Sequence, residues 1–221
     1  MDNILNPVAI ATDLIPDQEV IRRVLAGEKD LYAILVRRYN QRLYKVAISI
    51  INDDSDAEEM MQVAYIKAFE NLEKFEQKSA FSTWLTRILI NECLQLKKRK
   101  QTLTMDDGMN EHKDILQSAG KVPTPLATVL NTELKTILEK AIHQLPEKYK
   151  TVFVMRELEN MSIAETKECL NLSEANVKVR LNRAKVLLRD FLNAFYKKED
   201  LLHFHLTRCD RVTENVMSKI M

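Results

Sequence analysis

Glycine and proline are scarce in this chain, which has three glycines and five prolines among its 221 residues. Because both residues interrupt regular secondary structure, their scarcity leaves room for long helices. Val, Ile and Leu fall at helical rather than alternating spacing almost everywhere, which argues against a fold of half-buried strands. The sequence predicts an all-α protein of one or two ordinary domains.

The chain also has few cysteines, little net charge and no long apolar run. The three cysteines are odd in number and widely spaced, so we expect a reducing cytoplasm and no disulfide scaffold. The N-terminus has no positively charged leader, and no apolar run is long enough for a membrane span. With a formal net charge of +1 the chain is not a bulk polycation, so a nucleic-acid surface would have to come from local clusters.

No catalytic constellation stands out, because the sequence has no Gly-rich phosphate loop, no nucleophile elbow and no paired metal motif. His203, His205 and Cys209 offer three ligands where structural zinc takes four. We therefore expect no enzyme activity, no metal site and no cofactor. A packed amphipathic helix over residues 211–220, with Val212, Val216 and Ile220 as its apolar stripe, is the simpler interpretation of this tail.

Residues 160–191 carry the most specific pattern. Ser162 and Glu165 are spaced as a capping box for a short helix, and Ser173 can cap a second one. The second helix has an apolar face and, opposite it, the polar and basic residues Asn176, Lys178, Arg180, Asn182, Arg183, Lys185 and Arg189. This arrangement is typical of a helix-turn-helix that places its second helix in DNA, although a solvated helical hairpin is the alternative.

Two further features lie in the N-terminal half. Residues 55–58 form another capping-box pattern, and the acidic turn there either serves the helix dipole or docks on a basic partner. Trp84 lies between a polar loop and a helix that ends in a basic cluster at residues 97–100. Such an aromatic suits the capture of unpaired bases, and packing between helices is the alternative.

Taken in order, four segments resemble the extracytoplasmic-function group of bacterial sigma-70-family sigma factors. They are the acidic helix at residues 56–62, the stretch at residues 81–85, residues 145–149 and the helix-turn-helix. The resemblance implies a factor that directs core RNA polymerase to promoters and promotes their melting. It implies core polymerase and promoter DNA as partners, and many members of the group are held inactive by an anti-sigma factor.

The resemblance also implies three sets of contact residues. Core polymerase would be bound by Asp56, Glu58, Glu59, Met60 and Gln62. The −10 element would be opened, and its flipped bases held, by Lys78, Ser79, Phe81, Thr83, Trp84, Arg87 and Asn91. The −35 element would be contacted by Arg156, Ser173, Asn176, Lys178, Arg180, Asn182 and Arg183.

Departures from the family pattern limit what transfers. Glu59 stands where Asp is usual, and Asn171 stands where the turn often has Gly, although Asn tolerates the left-handed conformation. Val179 replaces a small polar residue on the reading helix, so it can touch a thymine methyl but cannot hydrogen-bond a base. Promoter preference therefore cannot be taken from relatives.

The expected organisation is two small helical domains joined by a flexible linker, the second a four-helix domain with the helix-turn-helix. The segments are an N-terminal extension (1–16), a region-2-like domain (17–100), an acidic linker (101–128), a region-4-like domain (129–195) and a tail (196–221). Two other functions compete with a sigma factor. A conventional helix-turn-helix regulator needs no exposed base-binding aromatic, and a helical adaptor that binds no DNA leaves the basic face at residues 178–189 without a purpose.

Overall fold

The computed structural model describes residues 15–107, 126–195 and 206–220, and every regular element within those ranges is a helix. The α-helices are α1 (Asp17–Leu25), α2 (Tyr32–Ile51), α3 (Asp54–Glu70), α4 (Phe81–Asp107), α5 (Leu126–Gln144), α6 (Glu147–Phe153), α7 (Ile163–Leu170), α8 (Glu174–Phe195) and α9 (Leu206–Ile220). Two 3-10 turns cover Lys29–Leu31 and Leu72–Lys74, and a π-helical turn covers Val154–Leu158. The predicted all-α fold is confirmed.

Helices α1 to α4 form what we call the N-terminal bundle. Leu35 and Leu43 of α2 pack with Leu85 and Leu89 of α4, and all four side chains are fully buried. Their spacing along each helix places them on one face, and burial of each leucine stabilises the fold by about 2 kcal/mol. Gly27 ends the first helical segment with φ 110°, a conformation that side chains rarely adopt.

The start of α3 differs from the capping pattern in the sequence. Its N-cap is Asp53, whose side chain accepts the Asp56 N–H at 2.9 Å, and Ser55 lies inside the first turn. Asp53 has the extended backbone that an N-cap requires, because Asn52 ends α2 in the left-handed conformation just before it. The predicted capping box at residues 55–58 is therefore wrong.

Helices α5 to α8 form the C-terminal bundle, a four-helix unit. Ala141 and Leu145 of α5 and the turn after it pack against Ala184 and Leu188 of α8. The capping box of α7 is complete: the Glu165 N–H donates to Ser162 Oγ at 3.1 Å and the Ser162 N–H donates to Glu165 Oε2 at 2.7 Å. Ser173 caps α8 by accepting the Asn176 N–H at 3.2 Å, so both predicted caps are confirmed.

The two bundles pack on each other. Val154, Met155, Met161 and Cys169 of the C-terminal bundle are buried in the same apolar cluster as the core of the N-terminal bundle. Thr151 and Ser49 meet across this boundary, with their hydroxyl oxygens 3.3 Å apart. The described residues of the two bundles therefore form one closed body.

The chain segments around the bundles are only partly described. Helix α4 continues to Asp107, past the start of the linker expected at residues 101–128. The extension before residue 15, residues 108–125 and residues 196–205, which include His203 and His205, lie outside the described residues. The tail is helical as expected and its helix α9 begins earlier, at Leu206, but the expected packing is wrong, because Val212 and Val216 are exposed.

Candidate polymerase and nucleic-acid interfaces

Helix α3 divides the residues expected to bind polymerase into an exposed set and a buried one. Glu58, Glu59 and Gln62 are exposed, whereas Met60 is only 2% exposed and packs in the core. Asp56 forms an ion pair with Lys100 at the far end of α4. The accessible part of this surface is therefore Glu58, Glu59 and Gln62, with Asp56 at its edge.

Sequence reasoning missed one member of this surface. Ile66 is 59% exposed and lies four residues after Gln62, on the same face of α3. An exposed isoleucine beside acidic and amide groups gives the face an apolar anchor of the kind found at protein interfaces. The signal in the sequence was an apolar residue off the buried stripe that Met60, Ala64 and Ala68 define.

Trp84 belongs to an aromatic cluster at the start of α4. Its ring centroid lies 5.1 Å from that of Phe75 and 5.8 Å from that of Phe81. Phe81 is buried, whereas Trp84 is half-buried and keeps part of its ring accessible. Trp84 therefore packs within the cluster and is still partly accessible to solvent.

The remaining residues expected at the −10 element are unevenly accessible. Lys78, Arg87 and Asn91 are exposed, and Arg87 and Asn91 lie one turn apart on α4. Ser79 is half-buried, and Thr83 is fully buried because α7 covers it. The Thr83 hydroxyl donates to Glu165 Oε1 at 3.1 Å, and the Cys169 thiol donates to the Thr83 carbonyl oxygen at 3.4 Å.

Helix α8 presents a polar face away from its core. Val177, Ala184 and Leu188 are buried on one side, while Asn176, Val179, Asn182 and Arg183 are exposed. Val179 is 65% exposed, so its methyl groups are as accessible as the polar side chains around it. This face has the two donor types, guanidinium and amide, that pair with guanine and adenine in the major groove.

The other residues expected at the −35 element have partners within the protein or lie partly inside it. Lys178 pairs with Glu174 at 2.6 Å, and the Ser173 hydroxyl serves as the cap of α8. Arg180 is half-buried and lines a groove of about 440 Å³ together with Leu94, Pro146 and Glu147. Arg156 is half-buried, and its Nε finds no hydrogen-bond partner within the described part of the chain.

Both cysteines with described side chains are buried thiols. Burial raises the pKa of Cys93 and of Cys169 to about 12, so neither is a thiolate at neutral pH. No group of side chains that could hold a metal ion occurs in the described ranges. Over the same ranges, no helix has both the length and the apolar character needed to cross a bilayer.

Comparisons with known proteins agree with this geometry. Residues 35–102 match the family model of sigma-70 region 2, and residues 135–188 match that of sigma-70 region 4. The first match covers α2, α3 and most of α4, and the second covers the helix-turn-helix. A chain with these two regions in this order is a promoter-directing sigma factor.

Curated relatives specify the group. The chain is 30% identical over 176 residues to the ECF RNA polymerase sigma factor SigW of Bacillus subtilis, covering 76% of this chain and 92% of the relative. It is 30% identical over 184 residues to the ECF RNA polymerase sigma-E factor of Haemophilus influenzae, covering 79% of this chain and 94% of the relative. The chain belongs to the extracytoplasmic-function (ECF) group of sigma-70-family sigma factors. It is a transcription regulator, and its partners are core RNA polymerase and promoter DNA.

Two solved structures share the fold. The sigma factor RpoE of Bartonella quintana, in complex with the anti-sigma factor NepR, superposes with a TM-score of 0.58 at 22% identity, covering 72% of this chain and 94% of that one. CnrH in complex with the cytosolic domain of CnrY gives a TM-score of 0.55 at 22% identity, covering 80% and 97%. These likenesses support the all-helical architecture in two regions.

Proposed function

We propose that three surfaces divide the work of this sigma factor. The exposed face of α3 binds core polymerase, the start of α4 captures unpaired bases of the −10 element, and the outward face of α8 reads the −35 element. The observation that carries the proposal is the order of these surfaces along one chain: an acidic helix, an aromatic cluster beside cations, and a capped helix with exposed amide and guanidinium groups. No single surface would specify a sigma factor.

Each surface has the chemistry for its task. Glu58 and Glu59 give α3 the negative charge that a basic polymerase surface would attract, and Ile66 supplies apolar contact. Trp84 offers a partly exposed ring on which a base can stack, and Arg87 lies one turn away to meet a phosphate. Each base that leaves the duplex loses roughly a few kcal/mol of stacking and pairing free energy, and stacking on the ring offsets this loss.

Sigma-free core polymerase with genomic templates provides the test. Adding the purified chain should produce transcript starts that share two upstream elements at a fixed separation. A conventional helix-turn-helix regulator would instead protect duplex sites without polymerase and give no new starts. Absence of starts above background would contradict the proposal.

Location and control are part of the proposal. Because core polymerase works on the chromosome, we place this factor in the cytoplasm. A sigma factor of similar fold was captured with an anti-sigma factor, and we propose that this chain is controlled by a partner of the same kind. Such a partner should co-purify with the chain and abolish transcription when it is added back to the holoenzyme. Full transcription in its presence would contradict this.

A further inference from the structure

Four side chains of the C-terminal bundle cover a basic strip on the N-terminal bundle. Glu159 receives Lys45 Nζ at 2.7 Å through one carboxylate oxygen and Arg42 Nε at 3.3 Å through the other. Farther along, Glu168 lies 3.8 Å from Arg87. Between these pairs, Glu165 accepts a hydrogen bond from the Thr83 hydroxyl, and the Cys169 thiol donates one to the Thr83 carbonyl oxygen. The contacts form one continuous row across α2 and α4.

The acidic side chains of this row contact the cations as the phosphates of a nucleic-acid strand would. Glu159 uses its two oxygens on two separate cations, as the non-bridging oxygens of a phosphate do, and its side chain is only 9% exposed. Hydrogen bonds from Ser162 lower the pKa of Glu165, and Arg42 adds to the effect. Glu165 is thus ionised at neutral pH, and Arg42 acts on both carboxylates.

Arg42 lies beside the aromatic cluster, and Lys45 follows it one turn later on α2. Tyr39, one turn before Arg42 on α2, has its ring centroid 5.9 Å from that of Phe81. Phe81 in turn contacts Trp84, the ring proposed to stack on a base. Surfaces that bind single strands combine a stacking aromatic with a row of cations that follows the backbone. Neither cation of α2 was expected at the −10 element from the sequence.

We propose that Arg42 and Lys45 extend the single-strand-binding surface of this sigma factor, and that Glu159, Glu165 and Glu168 occupy that surface in the closed chain as substitutes for phosphates. The proposal rests on the proposed role of α4 in capturing unpaired bases. In the closed chain the C-terminal bundle excludes the −10 strand from its own binding site. Capture of that strand therefore requires the two bundles to separate.

The test uses the full chain without polymerase and a fluorescent 12-nucleotide oligothymidine as the probe. The variant E159Q/E165Q/E168Q removes the three charges, and glutamine at position 165 keeps a capping-box residue. Its exposed counterpart, E73Q/D190N/E214Q, serves as the matched control. Separation is followed by distance measurements between labels at E70C and N193C, with C209S removing a native thiol whose side chain is not described.

We expect the interface variant to separate the bundles and to bind the probe about tenfold more tightly than the control. Adding R42Q/K45Q should remove most of that gain. It should also make the slope of log K against log salt about 1.4 less negative, since each lost phosphate contact on a single strand contributes about 0.7. A merely structural role for the two cations would leave this slope unchanged.

Each other result overturns a stated part of the inference. A chain that stays closed shows that the carboxylates do not hold it, and separation without tighter binding shows that the strip was not occluded. If the bundles separate and R42Q/K45Q changes neither the gain in probe affinity nor the salt slope, the two cations are not part of the single-strand-binding surface. The proposed function is tested by a different result, because it is contradicted only when the wild-type holoenzyme gives no transcript starts.

Discussion

Trp84 has two uses that a mutation has to separate. Its contacts with Phe75 and Phe81 stabilise the start of α4, and its accessible part is the proposed platform for a base. We expect Trp84→Ala to cost about 2 kcal/mol of unfolding free energy, less than a fully buried tryptophan, because the ring is half-buried. It should also impair open-complex formation more than polymerase binding.

Trp84→Phe is the control for stability, since it keeps a ring in the cluster. Permanganate reactivity of the −10 region reports opening, and fluorescence titration with core polymerase reports binding. Equal losses of opening and of polymerase binding in Trp84→Ala would make this residue ordinary core.

Arg183 makes the corresponding prediction for duplex recognition. Its side chain is exposed on the outward face of α8, so Arg183→Ala should weaken use of promoters that depend on the −35 element. Loss of one bidentate base contact costs roughly 1–3 kcal/mol, which corresponds to at least about fivefold in promoter affinity. Arg189→Ala, farther along the same helix, is the matched control. An upstream footprint that is the same in both variants would rule out the contact.

Among the helices, α7 and α8 depend on a turn that needs a left-handed residue. Asn171 has φ 49° and ψ 48° there, and it connects the two helices of the helix-turn-helix. Asn171→Gly should leave stability unchanged or raise it, because glycine adopts this conformation without a steric penalty. Asn171→Ala should lower the free energy of unfolding by about 1 kcal/mol. Urea unfolding of both variants is the measurement, and equal stabilities would contradict the assignment.

The caps and the helix periodicity were readable from the sequence because they are local. Ser162, Glu165 and Ser173 act over three residues, and the apolar stripe of α8 repeats every turn. The misplaced cap at α3 shows the limit of that logic. Asp53 and Ser55 are both good caps, and the choice depends on where α2 ends, which Asn52 decides through its backbone conformation.

Burial of the expected contact residues was not readable from the sequence. Met60 and Phe81 match the family motifs, yet their side chains point into the core, since a motif position states identity and not direction. Thr83 is covered by α7, which lies far along the chain. Ile66, Arg42 and Lys45 escaped notice because each looks like an ordinary helix residue until the tertiary contacts place it.

In the whole molecule, we expect closure of the two bundles to depend on pH. His143 Nδ1 lies 3.1 Å from Asn52 Oδ1, across the boundary between the bundles. Burial lowers its pKa below the ordinary 6.5, Lys150 lowers it further, and Glu139 and Asp54 oppose the shift. The ring in the closed chain therefore takes up a proton less readily than in an open or unfolded chain.

The sign of the pH effect follows. Stability linked to His143 is fully present above pH 6.5 and is lost as the pH falls from there towards the lowered pKa. Thermal unfolding of the wild type should therefore decline over this acidic window more than that of His143→Gln. Label-to-label distances should report wider separation over the same window. Parallel pH profiles for the two proteins would contradict the link.

In the roles proposed above, the C-terminal bundle reads DNA with one face and closes the resting chain with another. Residues on α8 that we propose set promoter choice, such as Val179 and Asn182, lie outside the acidic row at Glu159 and α7. Promoter preference can therefore diverge among duplicated copies by substitutions on α8 while the closed form is preserved. Exchange of the whole bundle between relatives is more constrained, because the incoming bundle must also supply acidic partners for Arg42, Lys45 and Arg87. Chimeras that join halves of different sigma factors should accordingly differ in how readily they open, even when each half recognises its own element.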